Sequence, residues 1–403
     1  MTRRPMLSVP AAFGPMVALT MMLLTPAAVS AQAEKPNQKP NDKQAGKQAE
    51  KQPEAIDFER ARTLFQKRER GGKLTADEEA YLQKAIAARR AGNGNNPQAG
   101  PQRGPLAPRA SIGQKPLSEM SAEDRYKNED GGLYGGGSNS PPAAHRRAAE
   151  AELARIQPLN AEGQAAADGR IVFVSISMSN ATQEFSKFKQ IADADPAKSA
   201  KLTIVDCAQG GQAMAQWVPP NAQPWTVAEQ RITQARVSPK QVQIAWIKLA
   251  NMGPRGELTD HGKTLQRDTL AVIQNAKARF SNLRIVYLSS RIYGGYATGQ
   301  LNPEPYAYES AFPVRWLIQD QIKGDAALNF NADKGAVKAP LLLWGPYLWA
   351  DGTTPRKSDK LIYNRDDLAG DGTHPSEAGR EKVAKVMLEF YKSDPLAKTW
   401  FAR

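Results

Sequence analysis

The sequence predicts an α/β domain, a five-stranded parallel sheet with helices on both faces, spanning residues 171–403. Two observations predict it. Five short apolar runs, Ile171–Ile176, Leu202–Cys207, Val242–Leu249, Leu283–Leu288 and Leu341–Trp344, have the length and unbroken hydrophobicity of buried strands. Between them lie segments with helical spacing, Thr182–Asp193, Ala213–Trp217 with Val227–Ala235, Thr264–Arg279 and Ser310–Lys323. A last helix from Ser376 to Tyr391 places Val383, Val386, Met387 and Phe390 at core positions. Strand and helix alternating over about two hundred residues imply a parallel sheet covered on both sides.

The chain has 403 residues and a net charge of +13, which suggests two or three units. With 41% hydrophobic and 24% charged residues, its composition excludes a polytopic membrane protein. The single cysteine, Cys207, excludes an intrachain disulfide and an all-cysteine zinc site. Three histidines, His145, His261 and His374, lie in unlike contexts, so no metal centre is expected.

The elements before the sheet follow in order. Arg3 and Arg4, the apolar run Met16–Leu24 and the small residues ending at Ala31 have the order of a secretory signal peptide over residues 1–31. Secretion or a periplasmic location is expected, with no membrane span left after cleavage. Residues 32–55 are a Lys/Gln/Pro-rich linker, with a lysine at every fourth position from Lys35 to Lys51 and nothing apolar to bury. It is expected to be a disordered tether, or an arm that adheres to an anionic envelope surface. Residues 56–91 form a helical hairpin, its second helix opened by the capping box Thr75-Ala-Asp-Glu78. Residues 92–116 are expected to be a second disordered linker, and 117–170 a turn-rich cover on the main domain. Residues 33–116 carry a net +7, leaving +4 for residues 117–403. The basic balance lies in tails and linkers, with no basic stripe or aromatic platform for a nucleic acid.

Ligands bind beyond the carboxyl ends of the strands in such sheets, and three of those ends carry reactive residues. Ser177-Met-Ser179-Asn180 follows the first strand and opens a helix, where a serine hydroxyl is exposed at a positive helix end. The plainer reading is a helix cap. Gln209-Gly210-Gly211-Gln212, then Trp217, follows the second strand; glycines there let backbone N–H groups approach an oxyanion, or simply make a tight turn. Asp371-Gly-Thr-His374-Pro precedes the last helix and can fold so that the carboxylate meets one imidazole nitrogen while the other faces a nucleophile.

With those three blocks in that order, the sequence resembles the SGNH, or GDSL-like, hydrolase superfamily over about residues 171–392. Ser177-Met-Ser179-Asn180 is closest in style to the first block of carbohydrate O-acetylesterases such as sialate O-acetylesterase. The resemblance implies a three-layer α/β/α, flavodoxin-like fold. It also implies a catalytic set of Ser179, Asp371 and His374, with the Gly211 N–H in the oxyanion hole. The third strand ends Trp246-Ile-Lys248-Leu-Ala-Asn251, without the family's usual third block, which leaves Asn251 or Lys248 as the further donor.

The expected function is a serine esterase that removes acyl groups, acetyl above all, from carbohydrate, with no cofactor. Asn180, Gly210, Trp217, Arg291 and Tyr293 are the expected substrate contacts. Tyr296, Tyr306, Tyr308, Tyr347 and Trp349 are expected either to line the cleft or to fill the core. The alternatives are a non-catalytic relative that binds glycan in the same cleft and an envelope scaffold tethered by the basic arm.

Overall fold

A computed structural model describes residues 106–402, residues 74–92, and Ile56, Asp57, Arg60, Ala61, Thr63, Leu64 and Lys67. The expected signal peptide, the Lys-rich linker and residues 93–105 lie outside the described residues. The chain divides into residues 1–56 and a compact unit of residues 57–403. The described strands and helices all belong to the second unit.

In chain order its elements are α1 (Ala76–Gly92), α2 (Ala143–Ala154), β1 (Ile171–Ser177), α3 (Ser179–Asp193), β2 (Leu202–Val205), α4 (Met214–Trp217), α5 (Gln223–Gln234) and β3 (Val242–Lys248). Then come α6 (Lys263–Arg279), β4 (Ile285–Leu288), α7 (Tyr306–Glu309), α8 (Ala311–Lys323), β5 (Leu341–Trp344), α9 (Glu377–Ser393) and α10 (Lys398–Phe401). The strands form one parallel sheet in the order β2-β1-β3-β4-β5. All seven residues of β1 and all seven of β3 are buried. This is why their sequences read as continuous apolar runs rather than alternating ones. Helices α3 and α9 pack together on one face, and α4, α6 and α8 on the other.

β1 and β3 end one residue from expectation, and two strand boundaries differ by two residues for local reasons. β2 stops at Val205 because the N–H groups of Cys207 and Ala208 both donate to Ser175 Oγ, at 3.0 Å each, instead of continuing the ladder. The Leu283 N–H turns back onto the Phe280 carbonyl, so β4 begins at Ile285.

Under β1, Phe173 meets Phe185 of α3, Tyr391 of α9 and Trp400 of α10 edge-on, with centroids 5.1–5.3 Å apart. Such edge-to-face pairs add specificity to the area they bury. The connected core runs from Leu117 to Phe401. In α1 the capping box is formed: Thr75 N–H donates to Glu78 Oε2 at 2.8 Å, and Glu78 N–H donates to Thr75 Oγ1 at 3.2 Å.

The expectation of a disordered linker over residues 92–116 needs correction from residue 106 onward. That segment lies across the sheet domain as a strap. Asp351, 3% exposed, accepts from Ser111 Oγ at 2.5 Å, Ile112 N–H at 2.7 Å and Gly113 N–H at 3.0 Å. Tyr293 and Tyr308 donate their hydroxyls to the carbonyls of Arg109 and Lys115. The Pro- and Gly-rich composition lacks apolar periodicity, but its backbone groups find fixed partners, and that holds it. The Gly131–Gly137 run winds near buried Arg315, which donates to the carbonyls of Asp130 and Gly132 and pairs with Glu129.

Asp351→Ala leaves three strap donors without their common acceptor. We expect it to lower stability by about 2–3 kcal/mol, read as a fall in the denaturation midpoint with unchanged far-UV circular dichroism.

Candidate active site

The change of direction in the strand order falls between β1 and β3, and crevices in such sheets open at the carboxyl end of that point. Ser179 stands there as the first residue of α3, preceded by Met178 in extended conformation. As the first helical residue its N–H has no partner one turn back. Thr373, His374 and Pro375 lead into α9, whose N-cap Ser376 accepts from the Gly379 N–H. Because α3 and α9 lie side by side, their starts bring the two segments together. Ser179 Oγ is 2.7 Å from His374 Nε2, and His374 Nδ1 is 2.6 Å from Asp371 Oδ2.

The proton positions follow from the carboxylate. Burial opposes its ionisation, but the hydrogen bond and charge of His374 and the N–H groups of Thr373 and His374 outweigh that, holding Asp371 at about 2. An ionised carboxylate only accepts, so Nδ1 carries the proton. In the neutral ring Nε2 is then the acceptor, and the Ser179 hydroxyl donates to it. The turn that sets this up requires glycine at 372: φ is +63°, and a Cβ there would sit 1.7 Å from the Tyr296 carbonyl oxygen.

Gly211 is exposed with φ +73°. Its loop is brought to the edge of β1 by the Gln209 N–H, which donates to the Ser177 carbonyl at 3.0 Å. Among the described residues the Gly210 and Gly211 N–H groups meet no acceptor. Asn180 follows Ser179 and is 2% exposed, yet neither atom of its amide has a partner.

The remaining expected contacts are buried or engaged by other side chains, and tertiary packing is the reason in each case. Trp217 has no exposed surface; it packs edge-on against Trp225 at 4.9 Å and donates to the Gln212 carbonyl, bracing the glycine loop from behind. Tyr293 is buried under the strap. Arg291 is 3% exposed, its Nη1 3.5 Å from Met178 Sδ. Lys248 is fully buried in an ion pair with Glu184 of α3, and burial pushes its ammonium down to about 8 despite that carboxylate. An ammonium enclosed this way cannot reach an oxyanion in the crevice. Asn251, the other candidate donor, turns its amide to Asp268 at 3.2 Å. Tyr296, Tyr306, Tyr308, Tyr347 and Trp349 are all buried and fill the core.

Sequence reasoning missed Asp206. Its carboxylate accepts from Ser175 of β1 at 2.6 Å and from Thr182 and Ser186 of α3 at 2.5 and 2.6 Å. It thereby pins the first two turns of the serine-bearing helix to two strands. Burial pushes this carboxyl up against those hydrogen bonds. The available signal was an acidic residue ending an apolar run, with hydroxyls at 182 and 186 on one helix face. Among the described residues no group of three or more His, Cys, Asp or Glu side chains gathers as a metal site, and no helix is long and apolar enough to cross a membrane.

Asp371 lies below its unfolded value of roughly 3.9. The stability it contributes is complete above about pH 4 and disappears as the pH falls toward 2. Asp371→Asn should therefore flatten the acid limb of melting temperature against pH in that window. An unchanged acid limb would mean the carboxylate is not held as described.

No family model matches the chain, and no curated protein matches it. Among solved structures it is similar to a protein described as an acylhydrolase from Bacteroides fragilis, at 12% identity and a TM-score of 0.32, over 62% of this chain and 97% of that one. It is also similar to the periplasmic domain of a lipopolysaccharide acetyltransferase from Salmonella Paratyphi A, at 15% identity and 0.27, over 61% and 96%. A protein from Arabidopsis thaliana follows at 15% and 0.28, over 53% and 64%. Similarities at this level carry no argument, and the fold rests on the strand order and register.

Proposed function

We propose that the chain is an exported serine ester hydrolase that removes acyl groups, acetyl above all, from carbohydrate. The observation supporting it is the continuous line Asp371–His374–Ser179, with contacts of 2.6 and 2.7 Å. Ser179 Oγ attacks the ester carbonyl carbon while its proton passes to His374 Nε2. The carbonyl π pair moves to oxygen, and the oxyanion is met by the N–H groups of Ser179 and Gly211. The tetrahedral centre collapses, the bond to the sugar oxygen breaks, and that oxygen takes the proton from His374. Water then repeats the sequence on the acyl-serine, releasing the acid and restoring Ser179. Asp371 keeps the imidazole in one tautomer and balances the imidazolium. Asn180 and Gly210, beside the nucleophile and the oxyanion loop, contact the substrate. The basic arm of residues 32–55 serves as a solvated tether or adheres to an anionic envelope surface. No cofactor enters the scheme.

A second reading, glycan binding without turnover, draws support from the third strand. With Lys248 enclosed and Asn251 engaged by Asp268, neither expected side chain is free to complete the oxyanion hole.

A fluorophosphonate probe decides between them, since it needs an activated serine and an oxyanion hole but not the true substrate. Labelling is expected at Ser179, absent in Ser179→Ala, and at least a hundredfold slower in His374→Ala. Hydrolysis of p-nitrophenyl acetate should follow the same order. A folded wild-type protein that does neither would favour the binding reading.

A further inference from the structure

Against Met178, the residue before α3, lies a buried cation that no anion touches. Arg291 follows β4 and is 3% exposed. Its Nη1 reaches only the Met178 sulfur, a weak acceptor, and its Nε has no partner. The carboxylates within electrostatic range are Glu184 and Glu304. Glu184 is engaged by Lys248. Glu304 accepts from the Gly294 and Tyr308 N–H groups and the Trp349 indole. Lys248 and Glu184 cancel, and burial pushes the Glu304 carboxyl up to about 7, so no anion in contact offsets the guanidinium. Isolating a buried charge in this way is costly, and a residue serving packing alone would be better as an apolar side chain of similar length.

We propose that Arg291 supplies a fixed positive field to the Ser179 site, stabilising the negative charge that develops on the carbonyl oxygen of the bound ester. The inference rests on the hydrolase reading. It answers the shortage left by Lys248 and Asn251 without requiring a third hydrogen-bond donor. Met178 is both the contact of Arg291 and the residue preceding Ser179, so the charge is linked through one side chain to the residue before the nucleophile and the positive end of α3. The helix dipole and the guanidinium then act with the same sign. In a water-excluded interior such a charge acts over longer distances than in solvent. Arg291 does not touch the reacting atoms in this arrangement and acts through its field, as a positioning residue. Because the charge it favours exists in the transition state and not in the neutral ester, its loss should appear in kcat rather than KM.

The test is Arg291→Met, which removes the charge and keeps most of the volume, beside Arg291→Gln and Arg291→Lys. For p-nitrophenyl acetate, kcat should fall at least tenfold in the neutral variants with KM within about twofold, and fluorophosphonate labelling of Ser179 should slow by the same factor. Their melting temperatures should equal or exceed that of the wild type, because a buried charge with no anion in contact has been removed. Arg291→Lys should recover most of the rate. Wild-type kcat and labelling in Arg291→Met overturn the role of Arg291 alone. Neutral variants that lose rate and melting temperature together, or do not fold, show a structural residue and overturn it as well. A folded wild-type protein that neither labels nor turns over the ester removes the hydrolase reading, and this inference with it.

Discussion

Ser179 and His374 are 195 residues apart in sequence, and they meet because two helices begin at the same edge of the same sheet. The rest of the site depends on that packing. Helices α3 and α9 lie against one face of β1, with Phe188 and Tyr391 in contact at 5.3 Å and Lys187 paired with Glu377 at 3.0 Å. The aromatic cluster on Phe173 sets their separation. One consequence is electrostatic: two helix starts converge, and both direct positive partial charge toward the crevice.

The interior beneath this edge holds several buried polar and charged groups. Asp206 collects three hydroxyls, Lys248 and Glu184 pair with no exposed surface, and Arg291 lies beside Met178. Buried ion pairs of this kind seldom add stability compared with apolar residues of similar size. Their effect in this fold is to fix direction. The Glu184 pair ties α3 to the end of β3, and Asp206 ties its first two turns to β1 and the end of β2. The serine helix is thus held at both sides by groups whose geometry tolerates little sliding.

The aromatic residues after β4 and β5 illustrate how exposure depends on parts of the chain far away. Tyr293, Tyr308 and Trp349 lie in the segments that follow β4 and β5, where a crevice lining would be sought. The strap of residues 106–116 and the cover that follows lie over them, and the Tyr293 and Tyr308 hydroxyls are spent on strap carbonyls. A residue that could face a ligand in the isolated sheet becomes core once the strap is laid down.

The parallel sheet was legible in the sequence because strands buried on both faces must be apolar throughout, and a run such as Ile171–Ile176 allows little else. The Asp371–His374 contact was legible for a similar reason: donor and acceptor lie three residues apart in one turn, so local chain geometry governs it. The position of Ser179 at a strand-to-helix turn was likewise a local matter. The fates of Lys248, Trp217, Arg291 and the strap were decided only by tertiary structure. Each depends on which distant element covers the residue or supplies its partner. Lys248 looked available at a strand end until Glu184, 64 residues earlier, enclosed it. Residue type and spacing encode what a segment prefers to bury; they do not encode which surface will arrive to bury it.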